Sequence, residues 1–95
     1  MTGTGLAIVW HSRTGAAEAM AGAICEGAGA EARRMSAESV TPDMLLAAAG
    51  FVFVCPETLA GMTGAMKEMF DRCYFPLLGR IEGRAYATAI AAGSD

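Results

Sequence analysis

The stretch Leu6-Ala7-Ile8-Val9-Trp10, followed at once by His11-Ser12-Arg13-Thr14-Gly15, decides how the rest of the chain is read. Its first half is an apolar run of strand length with β-branched residues and no polar face, the pattern of a strand covered on both sides. This is strand β1, residues 6–10. A helix, α1, is expected from Gly15 to Gly27: Ala16, Met20, Ala23 and Ile24 recur at helical spacing, and Gly27-Ala28-Gly29 supplies a stop. Ser12-Arg13-Thr14-Gly15 therefore sits at a strand-to-helix junction.

The same alternation continues down the chain. Glu31 to Met35 is expected as β2, at a sheet edge because Glu31, Arg33 and Arg34 resist burial on both sides. Thr41-Pro42-Asp43 carries a capping residue, a proline for the first helical position and an acid for the first turn; it introduces a short α2, Met44 to Ala49, with Gly50 as its stop. Phe51-Val52-Phe53-Val54-Cys55 is β3, ended by Pro56. Met62, Ala65, Met66, Met69, Phe70 and Cys73 mark one face of α3, with Lys67–Asp71 and Glu68–Arg72 as i,i+4 pairs opposite. This helix is expected to stop near Tyr74, because Pro76 intervenes. Arg84 to Ala91 alternates Tyr86, Thr88 and Ile90 against alanines and gives β4.

Composition bounds the function. Ninety-five residues make one domain, and 54% hydrophobic with 18% charged residues excludes disorder. The net charge is −3, and Arg13, Arg33, Arg34, Lys67, Arg72, Arg80 and Arg84 are scattered, so nucleic acid is not an expected partner. Cys25, Cys55 and Cys73 are far apart in apolar surroundings, which fits free thiols in a reducing cytoplasm. No basic residue precedes the first apolar run, so no secretory signal is read. The longest apolar stretch, Met44 to Cys55, has twelve residues and a glycine inside it. A membrane span needs about 20.

Alternating strands and helices, with buried-type strands at β1 and β3, predict an α/β three-layer sandwich: a parallel sheet, helices on both faces, right-handed crossovers. Ligands of such sheets bind at the carboxyl ends of the strands where the order reverses, here between β1 and β3. Two loops leave those ends, His11 to Thr14 and Pro56 to Gly61. The first offers the hydroxyls of Ser12 and Thr14, a glycine at 15 and the first amides of α1, a set suited to a phosphate, with Arg13 adding charge. Equally, Ser12 or Thr14 simply caps α1. Gly3-Thr4-Gly5 precedes β1 and is no dinucleotide fingerprint, and there is no P-loop lysine. The ends of β1 and β3 hold Trp10-His11 and Cys55 rather than acids, so magnesium-dependent phosphoacceptor chemistry is excluded.

Ser12-Arg13-Thr14-Gly15 resembles the FMN-phosphate loop of the flavodoxin-like family, in particular of its FMN reductases and tryptophan-repressor-binding-protein type quinone reductases. Cys55-Pro56-Glu57-Thr58-Leu59-Ala60-Gly61, with the helix through Met66-Lys67 to Asp71-Arg72, is similar to the family's proline-bearing flavin-ring loop and the helix after it. The resemblance spans essentially the whole chain, residues 1–95 as a single domain, and implies strand order 2-1-3-4. It places the FMN phosphate against Ser12, Arg13, Thr14, Gly15, Ala16 and Ala17. The ring then lies against Pro56, Glu57, Thr58, Leu59, Ala60 and Gly61, with Gly93 and Ser94 at its edge. Ala17 stands where flavodoxins often carry a hydroxyl, leaving the phosphate more dependent on backbone amides.

The family's fifth strand and last helix have no counterpart, and β4 is apolar or alanine on both faces, a poor exposed edge. The chain is accordingly expected to be C-terminally incomplete, or to have β4 covered by a homo-oligomeric or other partner chain. What the resemblance implies for function is electron transfer from NADH or NADPH through FMN to a quinone-like acceptor. A flavodoxin-type electron carrier is the alternative, and a truncated or partner-dependent domain without flavin is the third. The modest charge and a ring loop without aromatics favour the reductase. No acid–base catalyst is named. His11, the single histidine, excludes a multi-histidine metal site and reads as a loop residue contributing backbone. Cys55, Trp10 and the methionines read as packing, and Lys67–Asp71 as a surface pair.

Overall fold

The computed structural model describes residues 4–12, 15–56, 64–77, 79–80 and 83–91. Four strands form one parallel sheet in the order β2-β1-β3-β4, with β1 at Leu6–Trp10, β2 at Ala32–Ser36, β3 at Gly50–Pro56 and β4 at Ala85–Ala91. The helices are α1 (Ala16–Ala28), α2 (Pro42–Leu46) and α3 (Gly64–Leu77). The expected fold class and strand order hold.

Strand alternation splits the core into two layers. On one face, Ile8 and Val54 pack with Ala17 and Ala21 of α1, and Leu6, Trp10, Val52 and Ala89 join them. On the other, Ala7, Val9, Phe51 and Cys55 pack with Leu45 of α2 and with Met66, Met69 and Cys73 of α3. β1 is sealed from both sides: Ala7, Ile8 and Val9 are at most 1% exposed, which is why no polar residue interrupts it. Each fully buried large side chain of this kind stabilises the fold by roughly 1.5–3 kcal/mol.

Several expectations are corrected. The buried face of α1 is Ala17 and Ala21, with Met20 and Ile24 partly covered, whereas Ala16 and Ala23 are exposed. An alanine-rich helix carries little amphipathic contrast, and the small pair at i,i+4 lets α1 come close to the sheet. α2 occupies Pro42–Leu46 rather than Met44 to Ala49, and Gly50 is the first residue of β3 rather than a helix stop. Thr41 does cap it: its hydroxyl accepts from Met44 N–H at 3.2 Å. Met44 Sδ returns the contact to Thr41 N–H at 3.3 Å, the place glutamate usually takes in a capping box.

α3 runs to Leu77, past Pro76, because a proline in the final turn removes only one backbone bond of a helix that is ending. Phe70 is 36% exposed, although its spacing along α3 predicts a core position. It packs edge-on against Phe53, ring centroids 4.9 Å apart, on the side of the sheet where β4 lies. Among the described residues Glu68–Arg72 is the ion pair that forms, with Nε 2.9 Å from Oε2, and Lys67 and Asp71 do not pair. Pro56 closes β3 from inside the strand rather than after it.

Candidate functional site at the strand ends

Two neighbouring strand ends define the site. Trp10 of β1 lies in register with Val54 of β3, and His11 N–H donates to the Val54 carbonyl at 3.0 Å. The β1–β3 register ends there, whereas β3 stays paired with β4 as far as Pro56↔Ala91. The cause is proline chemistry: positions 54 and 56 aim their backbone groups toward β1, and Pro56 has no N–H to offer. The β1–β3 ladder thus ends at His11 and Pro56.

On the β1 side, Gly15 is the N-cap of α1 at φ +110°, a conformation that favours glycine, and it has no side-chain cap bond. A Cβ built on Gly15 would meet no atom of the described residues within 4 Å. The first intrahelical bond runs from Ala19 N–H to the Gly15 carbonyl at 2.9 Å. The amides of Ala16, Ala17 and Glu18 come before that bond, at the positive end of the helix dipole. Ser12 Oγ accepts from Gly15 N–H at 2.9 Å. Ser12 therefore fastens the turn. Ala17 has its side chain in the core. Glu18, exposed, is the acid of the first turn.

On the β3 side, Pro56 is fully buried. The structure thus brings Ser12, Gly15, Ala16, Ala17 and Pro56 to one edge of the sheet, while Arg13, Thr14, Glu57, Thr58, Leu59, Ala60, Gly61, Gly93 and Ser94 lie outside the described residues. Trp10 is half-buried against the α1 layer, and Cys55 is 1% exposed. His11 carries a shielded Nδ1 with no hydrogen-bond partner among the described residues. Sequence reasoning gives that side chain no role; its place before the hydroxyl loop is the available signal. Among the described residues no group of three or more His, Cys, Asp or Glu is placed to hold a metal.

A second concavity, along the outer edge of β2 and lined in part by Glu31, Arg33, Asp43 and Met44, lies toward the amino ends of the strands. That is the opposite edge from the loops, where parallel α/β sheets rarely bind.

A parallel, helix-covered sheet with an amide-rich helix start facing a proline-closed strand end defines a class: α/β proteins that hold a phosphorylated ligand at the sheet's carboxyl edge. The particular family follows from comparison. The flavodoxin family model matches residues 8–90, and the chain belongs to the flavodoxin family, whose members typically bind FMN and transfer electrons. Comparison with curated proteins finds no match. Among the described residues no helix is long and apolar enough to cross a membrane.

Proposed function

We propose that the chain is an FMN-binding oxidoreductase that passes electrons from NADH or NADPH to a quinone-like acceptor. The observation that carries this reading is the left-handed glycine turn at the start of α1, set beside the end of the β1–β3 ladder. The described residues fit the phosphate end of such a cofactor: the α1 amides donate to an anion, and Gly15 leaves room for it. Bound FMN would supply hydride acceptance from the nicotinamide and delivery of two electrons to the acceptor.

The chain's own part is binding and orientation. Ser12 keeps the turn in shape, so the amides of α1 stay aimed at one point, and Pro56 ends the β1–β3 ladder where the ring is to lie. Arg13, Thr14 and residues 57–61 complete the two ends, and Gly93 and Ser94 edge the ring. No side chain is required as acid or base, because amide donors near the ring suffice to stabilise a developing negative charge. The outer edge of β4 is covered in the working molecule by a second copy or another chain.

The test is direct. Titrating FMN with the protein quenches flavin fluorescence at micromolar protein, and the complex oxidises NADPH faster when a quinone is added. Quenching without NAD(P)H oxidation would favour the electron-carrier reading; no quenching would exclude both.

A further inference from the structure

Among the described residues, His11 has the one polar side-chain atom that is buried and unpaired, its Nδ1. Buried polar atoms are paired in the great majority of folded proteins, and an exception calls for a physical reason. The sheet supplies no partner. His11 N–H donates to the Val54 carbonyl at 3.0 Å, and Ala37 N–H donates to the Trp10 carbonyl at 2.8 Å. Both bonds extend the parallel ladders by one step, which flanks His11 with Ala37 on one side and Cys55 on the other. Alanine has no polar group, and the Cys55 thiol makes no bond to Nδ1. Ser12 follows His11 directly in the chain, and Pro56 follows Cys55.

We propose that His11 is a cofactor-binding residue whose Nδ1 pairs with a hydroxyl of the polyol chain joining phosphate to ring in FMN. The inference rests on the flavin reading above and adds a contact to it. Position favours the polyol: His11 immediately precedes Ser12, assigned to the phosphate end, and lies one ladder step beside Cys55, which precedes Pro56 at the ring end. Chemistry favours it too. With no partner at Nδ1, nothing fixes whether that nitrogen carries the proton, and a hydroxyl serves either tautomer because it both donates and accepts. A phosphate oxygen only accepts. The residue keeps part of its surface exposed, so a turn of the ring carries Nδ1 from its shielded position into the cleft.

The experiment compares FMN, riboflavin and lumiflavin by fluorescence titration against the whole chain, with thermal melts of the flavin-free protein. His11→Leu is expected to weaken FMN and riboflavin equally, by about tenfold for one hydrogen bond, and to leave lumiflavin unchanged. His11→Asn, which keeps a polar atom near Nδ1, is expected to retain most of the affinity. Flavin-free His11→Leu is expected to melt no lower than wild type, since it removes an unpaired buried nitrogen. Ser12→Ala weakens FMN but not riboflavin, reporting the phosphate end separately. Unchanged FMN affinity in His11→Leu, a loss confined to FMN, or a lower melting point with all three flavins weakened alike would overturn the assignment. Wild-type protein that quenches none of the flavins would remove the flavin reading itself, and this contact with it.

Discussion

Arg72 on α3 donates from Nη2 to the carbonyl of Ala37, 2.7 Å away and thirty-five positions earlier in the chain. The same guanidinium donates from Nη1 to the Val40 carbonyl and grips Glu68 through Nε at 2.9 Å and Nη2 at 3.2 Å. One planar fork thereby satisfies two carbonyls of the turn between β2 and α2 and ties that turn to α3. A lysine has the charge but cannot divide its donors this way. Arg72→Ala is expected to lower the melting temperature by about 5 °C, and Arg72→Lys to recover little of it. Full recovery by lysine in a thermal melt would show that charge alone matters there.

Gly5 precedes β1 at φ +77°, and a Cβ added to it would lie 2.2 Å from the Glu31 carbonyl oxygen. That oxygen is backbone, and it accepts from Leu6 N–H at 3.2 Å, so it cannot retreat without breaking the first β1–β2 bond. Gly5→Ala therefore combines a clash with backbone strain and is expected to cost about 3 kcal/mol or more in chemical denaturation. Gly79→Ala is the control: φ is +80° but no atom of the described residues lies within 4 Å of the added Cβ, so strain alone should cost about 1–2 kcal/mol. Equal losses in the two variants would contradict the close-approach argument.

Strands β1 and β3 are legible in the sequence because strands buried on both faces carry no polar residue, and runs as apolar as Leu6 to Trp10 or Phe51 to Cys55 can pack in few other ways. The edge position of β2 is legible from Arg33 and Arg34, both exposed in the fold. The role of Arg84 is not: it donates to the carbonyls of Leu46 and Ala48, at 2.8 and 2.6 Å, across more than thirty-five residues. Periodicity cannot report a contact that exists only after the layers have assembled. The ends of α2 and α3 escape sequence reading for a related reason, since Gly50 and Pro76 are stop signals in isolation and are overruled by register and by the last turn. At the site, the Ser12 to Gly15 junction is readable from residue types, but the unpaired Nδ1 of His11 depends on which neighbours the register supplies.

Gly15 separates stability from binding. Its φ of +110° disfavours any side chain, yet a Cβ there meets no atom of the described residues within 4 Å. Gly15→Ala is expected to leave a folded protein that is about 1–3 kcal/mol less stable. The turn then relaxes away from its present shape, and FMN affinity falls more than riboflavin affinity. The pair of titrations reads this directly; a variant that binds FMN as wild type does would mean the turn does not hold the phosphate.

The three cysteines are free, and they differ in access: Cys25 is partly exposed, Cys55 and Cys73 are buried. A thiol reagent should label Cys25 promptly and the other two only on unfolding. Burial pushes the Cys73 thiol above its ordinary 9.0, with Arg72 pulling it down and Glu68 raising it in smaller measure. Above that ordinary value the unfolded chain releases the proton while the folded chain keeps it, so fewer protons are bound in the unfolded state and stability falls as pH rises. The contribution is whole below pH 9.0 and is lost upward from there, at no more than about 1.4 kcal/mol per pH unit. Urea unfolding at pH 8 and pH 10 should show a smaller drop for Cys73→Ala than for wild type, although the variant begins less stable.

Among the described residues β4 pairs on one side, with β3, and leaves Tyr86 74% and Ile90 47% exposed, on the same face as the Phe53–Phe70 contact. In register, Tyr86 adjoins Phe51 and Thr88 adjoins Phe53, so the buried apolar surface of β3 continues onto β4 without a charged border. An apolar edge strand recruits whatever chain can pair with it, whereas a lysine on such an edge opposes pairing. Sedimentation velocity over a range of concentrations should therefore show self-association in wild type that Tyr86→Lys and Ile90→Lys each suppress. The charged side chains replace exposed residues, so unfolding free energies measured at low concentration should stay within about 0.5 kcal/mol of wild type. A wild-type chain that sediments as a monomer throughout would mean that the covering chain is not a second copy.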